Sequence, residues 1–483
     1  MFATVTSCAV VGVEPWPISV EAHVGGGRPG FAIVGLPDAA VREAKERVRA
    51  AFAASGFGFP RGRVVVNLSP ADLPKSGAAH DLPIALGILA AQGTAQLGDG
   101  PVAALGELGL DGSLRPVRGI LAATIMARRR SARCLVPANA GVAADDVVVP
   151  VVDLFHAVEV LAGRRPPAEV APPPPEGVDP ATPDLAEVRG QPRARWALEV
   201  AAAGGHHLLL SGAPGGGKTM LARCLPGLLP PPTPAERREL ALVAAAAGVE
   251  PPRGVPFRRP HHSATLAALV GGGCGLPRPG EVTLAHRGVL FLDELGEFPP
   301  ALLDALRQPL EEGVVRIARA ERTIEFPARF QLVAATNPCP CGYRDDRLEP
   351  CVCSDAAVAR YRSRLSGPLL DRLDLRVRVP RLRPSAWDGP PGEASAAVAQ
   401  RVAGARRRQE ERGTLNRDLA GSALDAVGWG RNALAPLVAA AEEGRVTARG
   451  WDRVRRVART IADLDGAEVV SADHVAAALE LRA

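Results

Sequence analysis

Lysine is almost missing from this chain. Among 57 basic residues in 483, only Lys45, Lys75 and Lys218 are lysines, a skew that fits coding bias alongside the abundant alanine, glycine and proline. A lysine that survives such bias is expected where a compact ammonium is needed, since the planar arginine fork does not fit a tight phosphate site. Also absent is any apolar run of the roughly 18 to 20 residues needed to cross a bilayer. The start MFATVTSCAVVGVEP lacks the basic stretch that opens a signal peptide. Both absences predict a cytoplasmic protein with no membrane partner. No short internal repeat occurs, which argues against a solenoid.

What is present bounds the architecture. Hydrophobic residues make up 47% of the chain, too many for a largely disordered protein. The length suits about three domains at roughly 150 residues each. A net charge of +5 is a mild basic excess that is compatible with nucleic acid and does not require it. The proline-rich stretch RRPPAEVAPPPPEG, residues 164–177, favours an extended linker. Expected segments are therefore an α/β or α+β domain over 1–165, a linker over 166–183, an α/β core with a parallel sheet over 184–385, and a small helical domain over 395–483. Within the first, Ala39 to Ala54 reads as a helix ended by Gly56 and RVVVN, residues 63–67, as a strand.

The segment HLLLSGAPGGGKTM holds G-x-x-x-x-G-K-T between an apolar strand and a helical run. Gly212, Ala213, Pro214, Gly215, Gly216 and Gly217 form a phosphate-cradling loop, a P-loop. In that context Lys218 neutralises β/γ oxygens, Thr219 ligates Mg²⁺, and Met220 continues the helix whose N-terminus faces the phosphates. The expected ligands are thus ATP and Mg²⁺. Farther on, VLFLDE ends a buried-type strand in Asp293, suited to hold Mg²⁺ with Thr219, and Glu294, suited to polarise an attacking water. FQLVAATN ends in Asn337, which either orients that water, touches the γ-phosphate or simply caps a turn before Pro338. Arg364, Arg372 and Arg449 are candidates to complete a phosphate site from a lid or a neighbour, against the bland alternative of solvated side chains.

Directly after Asn337, Cys339, Cys341, Cys351 and Cys353 form two C-x-C pairs in a short polar loop. Four thiolates can close a tetrahedral zinc site; free thiols or a redox-labile loop are the alternatives. The remaining Cys8, Cys134, Cys224 and Cys274 read as isolated small hydrophobes.

With these motifs in place, the chain resembles the ComM/YifB family of magnesium-chelatase-like proteins along nearly its whole length. The resemblance is carried by GLPDAAVREAKERVRAA, NLSPADLPKSGAAHDLPIALGILAA, RRPHHSAT, GEVTLAHRGVLFLDELGEF, NPCPCGY and SGPLLDRLDL. It implies an AAA+ ATPase core, a homo-oligomeric ring of six, and a helicase that drives branch migration of DNA in natural transformation. Asn337 then matches the sensor-1 position, Arg372 the trans-acting finger and Arg449 the sensor-2 arginine of a helical lid, with Arg364 as a second finger candidate. The resemblance also implies a pore-facing hairpin, here GVVRIARAERTIEFP, presenting Arg316, Arg319 and Arg322 to a DNA backbone. PFRRPHHSAT, with Arg258, Arg259, His261 and His262, would fall in a second insertion and reads as a polar loop.

The N-terminal region resembles the catalytic domain of Lon protease with its chemistry removed. Ala79 stands where the serine would be and Leu121 where the lysine would be, so proteolysis is not expected. Ser76, His80 and Asp81 are too close in sequence to align as a triad and read as packing or capping residues. The competing functions are a motor for metal insertion into a porphyrin and an ATP-driven protein remodeller.

Overall fold

A computed structural model describes residues 1–482 except 74, 76, 171–178, 180, 274–276, 319–322, 345, 347, 366 and 384–388. The chain separates into two compact units, residues 1–175 with 241–251, and residues 176–240 with 252–483.

In the first unit, alternation of side chains builds the sheet. Arg63–Ser69 turns Val64, Val66 and Leu68 inward and leaves its other residues at least partly open, the period-two pattern of a half-buried strand. It lies in a seven-stranded mixed sheet in the order Gly30–Val34, Arg63–Ser69, Glu14–Gly25, Phe2–Val11, Val102–Ala104, Arg133–Pro137 and Val148–Val151. Glu14–Gly25 runs antiparallel to both its neighbours, and the other contacts are parallel. The helix Ala39–Ala54 buries Val41, Ala44, Val48, Ala51 and Phe52, a stripe at helical spacing, and Asp38 caps it by accepting from the Val41 amide at 2.8 Å. The helix Asp81–Gln92 is apolar nearly all round and is buried accordingly. Residues 166 to 168, expected as linker, bond back onto this unit: the Pro166 carbonyl lies 3.0 Å from His156 Nε2, and the Ala168 amide donates to the Pro150 carbonyl at 2.9 Å. Much of the remaining linker, 171–178, falls outside the described residues.

The second unit is built on five short parallel strands in the order Phe257–Arg258, Val289–Leu292, Gln331–Thr336, Leu208–Ser211 and Leu375–Arg378. Val289–Leu292 and Gln331–Thr336 are buried throughout, as strands covered on both faces must be. The C-terminal helices, expected from sequence as a small helical domain over 395–483, pack onto the sheet. Val398, Leu437, Val454, Val457, Ile461 and Val475 share one apolar core with the sheet and with helix Pro192–Gly204. A buried polar group reinforces that junction. Asp463 accepts from Arg459 at 2.8 Å and from Asn416 at 2.7 Å, and His206 Nε2 meets Thr460 Oγ1 at 2.7 Å. Residues 241–251 group with the first unit. No helix among the described residues is long and apolar enough to cross a membrane.

Candidate active site

The site grows from the carboxyl ends of three neighbouring parallel strands. Leu208–Ser211 leads into the glycine-rich loop and then helix Lys218–Cys224. Gly217 caps that helix at φ 89°, a left-handed backbone open to glycine without steric cost. Lys218 Nζ folds over the loop and donates to the Gly212 carbonyl at 2.7 Å, the Ala213 carbonyl at 2.9 Å and Asn337 Oδ1 at 3.1 Å. Burial lowers its pKa, opposed by the nearby carboxylates of Asp293 and Glu294.

Strand Val289–Leu292 delivers those two carboxylates. Thr219 Oγ1 donates to Asp293 Oδ2 at 2.9 Å, joining a hydroxyl to a carboxylate in the all-oxygen donor set that suits Mg²⁺. Glu294 occupies φ 52°, a left-handed backbone that costs a non-glycine residue on the order of 1 kcal/mol or more. Its side chain stays 59% exposed. Strand Gln331–Thr336 sets Asn337 against Lys218. Lys218, Thr219, Asp293, Glu294 and Asn337 thus come together.

Two residues join them that sequence reading left in a polar insertion loop. Arg259 Nη2 binds Asp293 Oδ2 at 2.7 Å, and His262 Nδ1 lies 3.8 Å from Glu294 Oε2. Phe257–Arg258 is a two-residue edge strand paired with Val289 and Leu290, so the residues after it emerge at the same rim as Asp293. The His261 and His262 rings pack against each other at 4.1 Å, and His261 Nδ1 lies 2.7 Å from Ser263 Oγ.

Arg372 and Arg449 lie elsewhere. Asp374 immediately precedes Leu375–Arg378 and accepts from the His207 amide at 3.1 Å, which puts it at the amino ends of the strands, opposite the P-loop. There Arg372 pairs with Glu311, and Arg449, 73% exposed, has Nη1 3.7 Å from Asp371 Oδ2. A cavity of about 530 Å³ opens at this rim, lined in part by Glu311, Arg372, Asp374, Arg417, Arg453 and Arg456. Arg364 is exposed at the end of helix Asp355–Arg364. The expected hairpin forms from Val314–Ala318 and Thr323–Pro327, but Arg316 is not a free cation: Glu325 holds it at 2.6 Å and Glu312 binds it too. Cross-strand pairing places Glu325 opposite Arg316 and so consumes its charge. Arg319 and Arg322 lie outside the described residues.

The sulfurs of Cys339, Cys341, Cys351 and Cys353 all lie within 4.8 Å of one another. Cys8, Cys134 and Cys224 are buried free thiols, each pushed up to about 12 chiefly by burial. Cys274 lies outside the described residues. In the first unit, His80 Nδ1 lies 2.8 Å from Ser7 Oγ and Asp81 pairs with Arg47 at 2.6 Å, while Ser76 is not described.

A glycine loop, a strand-end acid pair and an amide on one edge of a parallel sheet define a P-loop nucleotide-binding module. The family described as magnesium chelatase, subunit ChlI, matches residues 184–387, one described as subunit ChlI of Mg-chelatase matches 20–140, and one described as magnesium chelatase, subunit ChlI C-terminal, matches 392–482. The chain is 43% identical to an uncharacterised Mycobacterium tuberculosis protein, over 99% of this chain and 97% of that one. It is 42% identical to the uncharacterised protein YifB of Escherichia coli, over 98% and 96% of the two chains. It is 42% identical to the competence protein ComM of Haemophilus influenzae, over 100% and 97%. This chain belongs to the ComM/YifB family of magnesium-chelatase-like proteins. That membership makes it one of the AAA+ ATPases, which use ATP and Mg²⁺.

Proposed function

We propose that the chain is a cytoplasmic, ring-forming motor, a hexamer, that couples ATP hydrolysis to branch migration of DNA. The observation that carries the reading is the convergence of Lys218, Thr219, Asp293, Glu294 and Asn337 at one rim of the sheet, with Arg372 and Arg449 at the other. In this reading Lys218 binds the β and γ oxygens, Glu294 takes a proton from the attacking water, and Asn337 orients that water. Mg²⁺ at Thr219 and Asp293 supplies charge neutralisation to the phosphate oxygens. Arg259 must first release Asp293. Arg372 and Arg449 lie at the amino ends of the strands, opposite their own P-loop, and in this reading act on the nucleotide of an adjoining copy. Arg449 is then a trans residue, not a lid residue closing over its own site.

DNA as the partner is supported by the competence naming of the Haemophilus influenzae relative and by the hairpin ahead of Asn337. One zinc ion on the four cysteines completes the cofactors. The N-terminal unit is read as a Lon-like domain without protease chemistry, because Ala79 and Leu121 occupy the positions of its nucleophile and base. Its helices Ala39–Ala54 and Asp81–Gln92 and its mixed sheet suit a scaffold. A second reading, a motor for metal insertion into a porphyrin, draws on the magnesium chelatase match.

Branched DNA with ATP, tested on the wild type and Glu294→Gln, separates these readings. The expected result is ATP-dependent branch movement by the wild type alone. No movement, with ATP turnover indifferent to DNA, would overturn the DNA motor.

A further inference from the structure

The four-cysteine loop is placed to do more than hold itself together. Sulfur separations are 3.4 Å for Cys339 to Cys341, 3.6 Å for Cys339 to Cys351 and 3.6 Å for Cys341 to Cys351. A tetrahedral zinc with bonds of about 2.3 Å needs sulfurs roughly 3.8 Å apart, whereas a disulfide needs about 2.05 Å. The observed spacing fits the metal. Backbone amides also point at the sulfurs: Arg344 N donates to Cys339 Sγ at 3.3 Å and Cys341 N to Cys353 Sγ at 3.4 Å. Such donors stabilise thiolates. The loop has little apolar anchorage of its own, since Leu348 is 46% exposed and Val352 84%.

Three contacts tie this cluster to the nucleotide site. Cys339 follows two residues after Asn337, whose side-chain oxygen accepts from Lys218. Gly342, at φ 86°, lies so close to the P-loop that a Cβ there would sit 2.6 Å from Pro214 Cδ. At the other end of the loop, Ser354 caps helix Asp355–Arg364 by accepting from the Ala357 amide at 3.3 Å. That helix carries Tyr361 onto Gly296, two residues beyond Glu294, where a Cβ would meet the Tyr361 hydroxyl at 2.5 Å. The cysteines therefore staple together the supports of Lys218, Asn337 and Glu294.

We propose that zinc occupancy of this loop gates hydrolysis, by fixing Asn337 in the position that turnover needs while leaving nucleotide binding nearly intact. The inference rests on the ATPase reading above. Binding depends on backbone groups of the P-loop and on Lys218, which remain without zinc. Hydrolysis depends on the alignment of Asn337 and Glu294, where a displacement of about 1 Å can cost on the order of a hundredfold.

The test uses the full chain, with zinc counted by elemental analysis, affinity read with a fluorescent non-hydrolysable ATP analogue, and phosphate release followed with time. One zinc per chain is expected. A zinc-selective chelator, or Cys351→Ser, should lower kcat by about tenfold or more and move the analogue's Kd less than about threefold. Added zinc should restore the chelated wild type and not Cys351→Ser. Gly342→Val should keep its zinc and still lose turnover, which holds even if the metal-free chain unfolds. Less than half an equivalent of zinc overturns the metal site. Unchanged kcat in folded, zinc-free protein, or wild-type turnover by zinc-loaded Gly342→Val, overturns the gating and spares the ATPase reading. A zinc-replete wild type that never hydrolyses ATP overturns the ATPase reading itself.

Discussion

Two of the three lysines sit in polar clusters that share an inventory of lysine, histidine and aspartate, and their fates differ. Around Lys75 the cluster is sealed. Lys75 is fully buried and donates to the Pro70 carbonyl, His80 meets Ser7, and Asp81 is locked to Arg47. Burial, helped by the Lys75 charge and opposed by Asp38, pushes the His80 pKa down to about 4. Around Lys218 the cluster opens to solvent: Glu294 is mostly exposed and its neighbour His262 stays 3.8 Å away. A scarce lysine thus marks a demanding environment, but only exposure of its companions makes that environment chemical. In the sealed cluster Lys75, His80 and Asp81 each make a contact that holds the fold; in the open one the acids retain room for a ligand.

The sharpest way to break this contrast is to remove each lysine in turn. Lys218→Ala should abolish nucleotide binding and with it steady-state phosphate release, a loss of about 4 kcal/mol or more in transition-state stabilisation. Lys75→Met should leave phosphate release intact in whatever protein folds and lower the Tm. Equal damage to turnover from both would erase the distinction. Glu294→Gln comes next: turnover should drop by about a thousandfold with affinity for the ATP analogue retained, because only proton transfer is removed.

Effects on stability follow. Asp81→Ala strands Arg47, and chemical denaturation should show a loss of about 3 kcal/mol with ATPase activity preserved in the folded fraction. A pH-dependent effect of comparable size belongs to His80. Its folded pKa lies below the unfolded value of 6.5, so the native state binds fewer protons and its stability is complete above pH 6.5. As pH falls from 6.5 towards 4, about 1.4 kcal/mol should be lost per unit, and His80→Gln should flatten the fall of Tm over that range. Smallest of all, Arg316→Ala should leave the Tm essentially unchanged, since its partners Glu312 and Glu325 are half-exposed and solvent screens the pairs.

Local spacing explains what can be read from sequence. The P-loop, the acids closing VLFL and the amide closing QLVAAT each sit at the end of a short apolar run, and parallel packing does the rest. Helix Ala39–Ala54 is likewise bounded by residues that announce it, with Asp38 before and Gly56 after. What escapes reading depends on distant pairing. Two residues, Phe257 and Arg258, are too few to show a strand period, so nothing local reveals that Arg259 reaches Asp293. The apolar stripe of helix Ala448–Leu464 announces a helix but not its partner, which is the ATPase core. Arg316 reads as a free cation because Glu325 becomes its neighbour only once the hairpin closes.

The single direction of the five strands has a consequence for symmetry. One rim carries the P-loop lysine, an acid pair and an amide, the other a cluster of arginines among acids, so the two rims are unlike. A two-fold axis joins like to like and would press one arginine rim onto another. Only a head-to-tail repeat sets unlike rims together, and such a repeat either closes on itself or grows without end. For the ring proposed above, polarity fixed by hydrogen bonding within one chain thereby favours a cyclic repeat over a two-fold pairing.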